Sequence, residues 1–94
     1  ARLLLAEKIR IFSPDVIFCP YPEDVHPDHI AATKIVEAAR FYAKYTGVKL
    51  KGKPYYACHL FYYFCTHLRI IPRVSFVVDI SDFFKEKMKA IRCY

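Results

Sequence analysis

Glycine is scarce in this chain, with two residues in 94, and no stretch of low complexity, internal repeat or linker interrupts it. Disorder and a multi-domain layout are thereby excluded, since 55% of the residues are hydrophobic and eight Phe and eight Tyr must find cover. The four cysteines, Cys19, Cys58, Cys65 and Cys93, form no CxxC pair, which argues against a zinc ribbon or a disulfide framework and for free thiols in a reducing, cytoplasmic compartment. A long apolar run is missing too. Leu3, Leu4 and Leu5 begin one, but Glu7, Lys8 and Arg10 end it before it reaches the length of a signal core or a membrane span.

Charge is the next bound. Fifteen Lys and Arg against nine Asp and Glu give a net charge of +6. Lys49, Lys51 and Lys53 cluster in a loop, and Lys85, Lys87 and Lys89 on a helix. Neither cluster interleaves arginine with aromatics, so they read as solvated faces and no nucleic-acid partner is expected.

The order of elements follows from periodicity. Residues 1–12 carry Leu4, Leu5, Lys8, Ile9 and Phe12 at helical spacing, and Ser13-Pro14-Asp15 ends the helix because proline disfavours the helical conformation in the residue before it. Val16-Ile17-Phe18-Cys19, ending at Pro20, is a continuous apolar run of the kind found in strands covered on both faces. After a polar loop, Pro27 suits the first turn of a helix to about Tyr45, where Thr46-Gly47 supplies the stop. Tyr55 to Phe64 reads as a strand, and Val74 to Ile80 as another after a loop holding Pro72. Ser81 is placed to cap a last helix with Phe84, Met88 and Ile91 on one face. The alternation predicts an α/β, three-layer sheet in a single partial domain over residues 1–94. The aromatic load exceeds what two or three helices cover, so the chain is expected to be part of a longer protein and to self-associate as a homo-oligomer.

Chemistry concentrates in Asp24-Val25-His26-Pro27-Asp28-His29, directly after the first strand, where open α/β sheets bind ligands. With Pro27 as the first helical residue, His26 is the N-cap and His29 lies one turn on, on nearly the same face. From His29, steps of three and four reach Ala32, Val36, Ala39 and Ala43, a small apolar stripe that should face the sheet. Two histidines aimed at a crevice with a carboxylate between them suit a divalent cation. The plainer alternative is a histidine cap and a half-buried histidine. Asp24 reads as a residue at the rim. Cys58-His59 and Cys65-Thr66-His67 fit no zinc-finger spacing and read as strand and loop residues.

The run Ser13-Pro14-Asp15-Val16-Ile17-Phe18, then Pro20, then Asp24 to His29, then Ala31-Ala32-Thr33, resembles the second conserved block of the LmbE/PIG-L deacetylases. Ser75-Phe76-Val77-Val78-Asp79-Ile80-Ser81-Asp82, with Lys87 and Lys89-Ala90-Ile91-Arg92, is similar to that family's late strand and following helix. The resemblance implies a Rossmann-like fold and zinc-dependent removal of the N-acetyl group from an N-acetylglucosamine-type sugar. By motif, His29 matches a zinc ligand. His26 matches the histidine that stabilises the tetrahedral intermediate or protonates the leaving amine, and Asp28 the aspartate that orients it. The family's first block, Ala-His-Pro-Asp-Asp, supplies two further ligands and the general base and has no counterpart here. The chain alone is therefore expected to be inactive, with a missing N-terminal segment as its partner. Asp79, at the end of the predicted second late strand, is the best-placed substitute acid, although a helix-cap role accounts for it more simply. A non-catalytic binding or assembly module that kept the fold is the competing reading.

Overall fold

The computed structural model describes residues 1–65 and 73–94. Helix α1 spans Arg2–Phe12, strand β1 Val16–Pro20, helix α2 Pro27–Lys44 and strand β2 His59–Tyr63; a short 3-10 turn, Ser81–Phe83, leads into helix α3, Phe84–Ile91. The result is a mixed α/β arrangement in which β1 and β2 pair in parallel, Val16 opposite His59 through Pro20 opposite Tyr63. A crossover through α2 joins them, as parallel strands require. Among the described residues no helix is long and apolar enough to cross a membrane.

Both ends of β1 lie close to where the sequence puts them, and α2 begins at Pro27 as expected. The stripe below His29 also forms, with Ala39 and Ala43 fully buried and Ala32 and Val36 half-buried. Ala39 and Ala43 join Ala6 and Ile9 of α1 in the core, flanked by Leu5, Ile17, Tyr42, Leu50 and Tyr55. Small side chains let the two helices approach closely.

Four expectations are corrected. Helix α1 does not bury Leu4 and Phe12, which is 81% exposed; it buries Ala6, Ile9 and Arg10. The reason is Arg10, whose guanidinium reaches across to α2: Nε donates to the Ala43 carbonyl at 2.9 Å, and Nη2 to the Tyr45 carbonyl at 2.7 Å. Nη1 adds the Leu50 carbonyl at 3.2 Å. These bonds also explain the second correction. Helix α2 ends at Lys44 with Tyr45 extended, not in a left-handed turn at Thr46-Gly47, because an arginine and the Tyr55 amide, 2.9 Å from the Ala43 carbonyl, take up its last carbonyls. Gly52, at φ +83°, passes so near that an added Cβ would lie 2.8 Å from that of Arg10.

The third correction concerns the sheet. The Tyr55 to Phe64 run forms a strand only over His59–Tyr63, and Val74 to Ile80 forms none. An apolar, β-branched segment needs a neighbour for its backbone groups, and the described residues offer it none; Val77 is 84% exposed. The three-layer sandwich is accordingly not present among the described residues. Fourth, β1 is covered on one face. Cys19 and half-buried Ile17 look towards the helices, while Phe18 on the other face is 62% exposed and meets Phe61 at a ring separation of 5.7 Å. Phe76 stands edge-on to Phe61 at 5.1 Å, which makes one wall of a groove lined by aromatics and Val74, Val77 and Val78. Residues 66–72, with His67 and Pro72, lie outside the described residues.

Candidate metal centre

The site is built at the carboxyl ends of the two parallel strands. Strand β1 stops at Pro20, and the Tyr21 amide donates to the Tyr63 carbonyl at 2.9 Å, so the chains leave the sheet side by side. Thr33, one turn after His29, is 1% exposed and ties the strand end to α2: its hydroxyl donates to the Pro20 carbonyl at 2.7 Å and lies 3.2 Å from the His29 carbonyl. The first turn of α2 is thereby held against the end of β1.

His26 is the N-cap of α2, as the sequence predicts, and its Nδ1 accepts the Asp28 backbone N–H at 3.2 Å. That bond occupies the Nδ1 lone pair, so the neutral ring carries its proton on Nε2. The Asp28 carboxylate is 3.9 Å from His26 Nδ1 with its side chain 88% exposed. It is the Asp28 amide, not its carboxylate, that orients the imidazole.

Asp24, read from sequence as a rim residue, is the hub. Its Oδ1 accepts the His26 backbone N–H at 2.9 Å, and its Oδ2 lies 2.9 Å from His29 Nδ1. Its side chain is only 4% exposed. The His26 amide first, and the His29 ring second, hold the Asp24 carboxyl below the usual carboxylate range, so it is an anion at neutral pH. A carboxylate on Nδ1 fixes that nitrogen as the donor and leaves Nε2 of His29 with a free lone pair. The His26 and His29 rings stack at 4.7 Å with 24° between their planes. Both predicted imidazoles therefore share one face of the helix start.

Cys65, read as a loop residue, completes the group. One donor atom each from Asp24, His29 and Cys65 lie within 4.8 Å of one another. Burial, and then the Asp24 charge, push the Cys65 thiol up from its ordinary value, so the sulfur stays protonated. No spacing rule could find this residue, because Cys65 follows β2 and Asp24 follows β1, and only strand pairing brings them together. Asp79 has a different role: its Oδ1 accepts the Ser81 backbone N–H at 2.9 Å, and the Ser81 hydroxyl and amide lower its pKa. It shapes the turn before α3. Ser81 itself provides no side-chain cap, the expected role passing to Asp79.

What these elements define is an α/β chain with an imidazole, carboxylate and thiol cluster in the loops beyond a parallel strand pair. No family model matches the chain. It is similar to the conserved protein TT1542 from Thermus thermophilus, a crystal structure, with 37% identity, a TM-score of 0.83 and 96% of this chain covered. The match takes in 40% of that chain, so this chain spans about two fifths of its length. At that identity the fold described above is shared with the corresponding part of TT1542.

Proposed function

We propose that this chain carries the second half of the metal site of a zinc-dependent N-deacetylase acting on an N-acetylglucosamine-type substrate, and that it is inactive alone. The observation that supports this reading best is the 2.9 Å contact between Asp24 and His29. A buried carboxylate that fixes the outer nitrogen of a histidine is the arrangement that metal-binding histidines use, and it leaves His29 Nε2 as the ligand atom.

The donor chemistry fits zinc, for which imidazole nitrogen is a preferred ligand. Bound there, zinc would supply a Lewis acid for the acetyl carbonyl and a water of lowered pKa. His26 has a distinct part. With Nδ1 engaged by the Asp28 amide, its Nε2–H is a donor that can meet a developing oxyanion. Asp28 acts on His26 through its backbone. Beside His29 the described residues offer His26, engaged at Nδ1 by the Asp28 amide, and Asp24, engaged with His29 Nδ1, so the two further ligands and the base of the resemblance are left to a further segment with an Ala-His-Pro-Asp-Asp block, which belongs to the proposal. In that longer protein the Val74 to Ile80 segment would join a Rossmann-like, three-layer sheet.

The test uses the gene product that contains this chain, assayed for zinc content and for release of acetate from N-acetylglucosamine compounds. His29→Ala should lose zinc and at least about 100-fold in activity, since even residues that only orient a ligand are worth 10–100-fold. A gene product with neither zinc nor deacetylation would sink the reading and leave a module that binds or assembles.

A further inference from the structure

We propose that the open edge of β1 is the docking site for a parallel strand supplied by the part of the protein that precedes α1. This edge is distinct from the deacetylase site and is filled whether or not the protein binds zinc. The Tyr21 amide donates to the Tyr63 carbonyl at 2.9 Å, and residues along a strand turn their N–H and C=O alternately to one edge and the other. Ile17 and Cys19 therefore face β2. Val16 and Phe18 present their backbone groups to the opposite edge, where no strand lies among the described residues. Such a row of unpaired N–H and C=O groups is a template for another strand.

Chirality selects the occupant. A crossover between parallel strands of one sheet is right-handed in about 98% of cases, so two crossovers packed on the same face step across the sheet in the same direction. Helix α2, the crossover from β1 to β2, shares one core with α1, and Ile17 of β1 packs against it. Both helices thus lie on one face. Since α2 steps from β1 towards β2, α1 steps towards β1 from the other side, and the strand that feeds α1 belongs beyond the open edge. The matched part is 40% of TT1542, and a protein of that length has ample chain for it. Val74 to Ile80 is not the occupant, because Phe76 holds that segment beside Phe61 of β2 at a ring separation of 5.1 Å. The docked length also has a defined end. Pro20 has no N–H to give a new neighbour, and its carbonyl already accepts the Thr33 hydroxyl at 2.7 Å. Pairing therefore stops at Phe18, and the two strands part before the Asp24 to His29 loop, which leaves a crevice between their carboxyl ends.

The experiment uses the gene product that contains this chain and follows its backbone amides by hydrogen exchange and by NMR contacts between strands. The Phe18 amide should exchange within about tenfold of the Cys19 amide, which faces β2, because both are then ladder bonds of one sheet. Short backbone contacts should run from Val16 and Phe18 to a strand that precedes α1, in parallel register. A Phe18 amide that exchanges more than about tenfold faster than that of Cys19 would overturn the proposal. So would contacts from Val16 and Phe18 to Val74 to Ile80, to residues beyond Tyr94, or to a second copy, which a two-fold axis would bring alongside in antiparallel register and which mixed isotope labelling would reveal. A gene product with no chain before α1 would overturn it as well. Neither readout involves zinc or turnover, so this result and the deacetylase assay fail or stand independently.

Discussion

Tyr62 donates its hydroxyl to the Glu37 carboxylate over 2.6 Å, joining β2 to α2 beside the cleft that holds Arg40 and Lys44. A phenol that gives its proton to an anion loses that bond, and gains a repulsion, when it ionises. The Glu37 hydrogen bond, burial and the Glu37 charge together push Tyr62 up to about 12 from 10.0. The folded chain therefore keeps a proton that the unfolded chain releases, so this contact stabilises below pH 10 and is lost as the pH rises from about 10 towards 12. An alkaline titration followed by tyrosinate absorbance should show one late-ionising tyrosine among the eight. Glu37→Gln should bring it back towards the ordinary value. At Asp24 the sign is reversed: a carboxylate held below its usual range stabilises its loop above that range and releases it as acid protonates it.

At the scale of elements, α2 depends on a side chain from another helix. The four last carbonyls of a helix need partners, and Arg10 supplies several of them from α1 while its charge faces the negative end of the helix dipole. Hydrogen bonds to a charged group are worth about 1.5–3 kcal/mol each and overlap here, so Arg10→Ala should cost about 3 kcal/mol in chemical denaturation. Arg10→Lys should recover little of it, because an ammonium cannot reach carbonyls on opposite sides as a planar guanidinium does. A loss under about 1 kcal/mol on Arg10→Ala would show that water substitutes for the guanidinium. This cap is not legible in the sequence. Periodicity sorts residues by hydropathy, so it places Arg10 among the solvated positions and assigns the helix stop to Gly47, which instead makes room for the Tyr45 ring. The elements around the site are legible because local chemistry sets them: Pro14 and Pro20 frame β1, and His26-Pro27 begins α2. Val74 to Ile80 has the composition of a strand, but a strand also needs a partner, which composition does not reveal. The imidazole pair is visible in the sequence, whereas Asp24 as hub and Cys65 as neighbour are set by packing across the sheet.

For the molecule as a whole, the fully buried positions are few and small. Ala6, Ala39, Ala43 and Ala57 dominate the core, and Thr33 and Cys19 are the largest side chains wholly buried among the described residues. On the opposite side Phe18, Phe76, Val77 and Val78 stand more than half exposed around the aromatic groove. Parallel sheets are ordinarily covered on both faces, so this chain alone shows water a surface that its composition suits to burial. Alone in solution it should bind a dye for apolar surface strongly and unfold with a shallow urea dependence, near the bottom of the usual range of about 1–3 kcal/mol/M. A protein that also carries a cover for that face should bind little dye and unfold more steeply. Strong dye binding by both would mean the aromatic face stays open in the longer protein. The parallel register also acts as a ruler. Pro20 stands opposite Tyr63, so Asp24 comes four residues beyond its strand and Cys65 two beyond the facing one. A slip of one residue would carry the thiol about 3.3 Å along the strand and turn the aromatic rows to the wrong faces. The meeting of sulfur and carboxylate is in that sense counted out in backbone steps, and an insertion or deletion between Val16 and Pro20 or between His59 and Tyr63 would miscount it without touching any ligand.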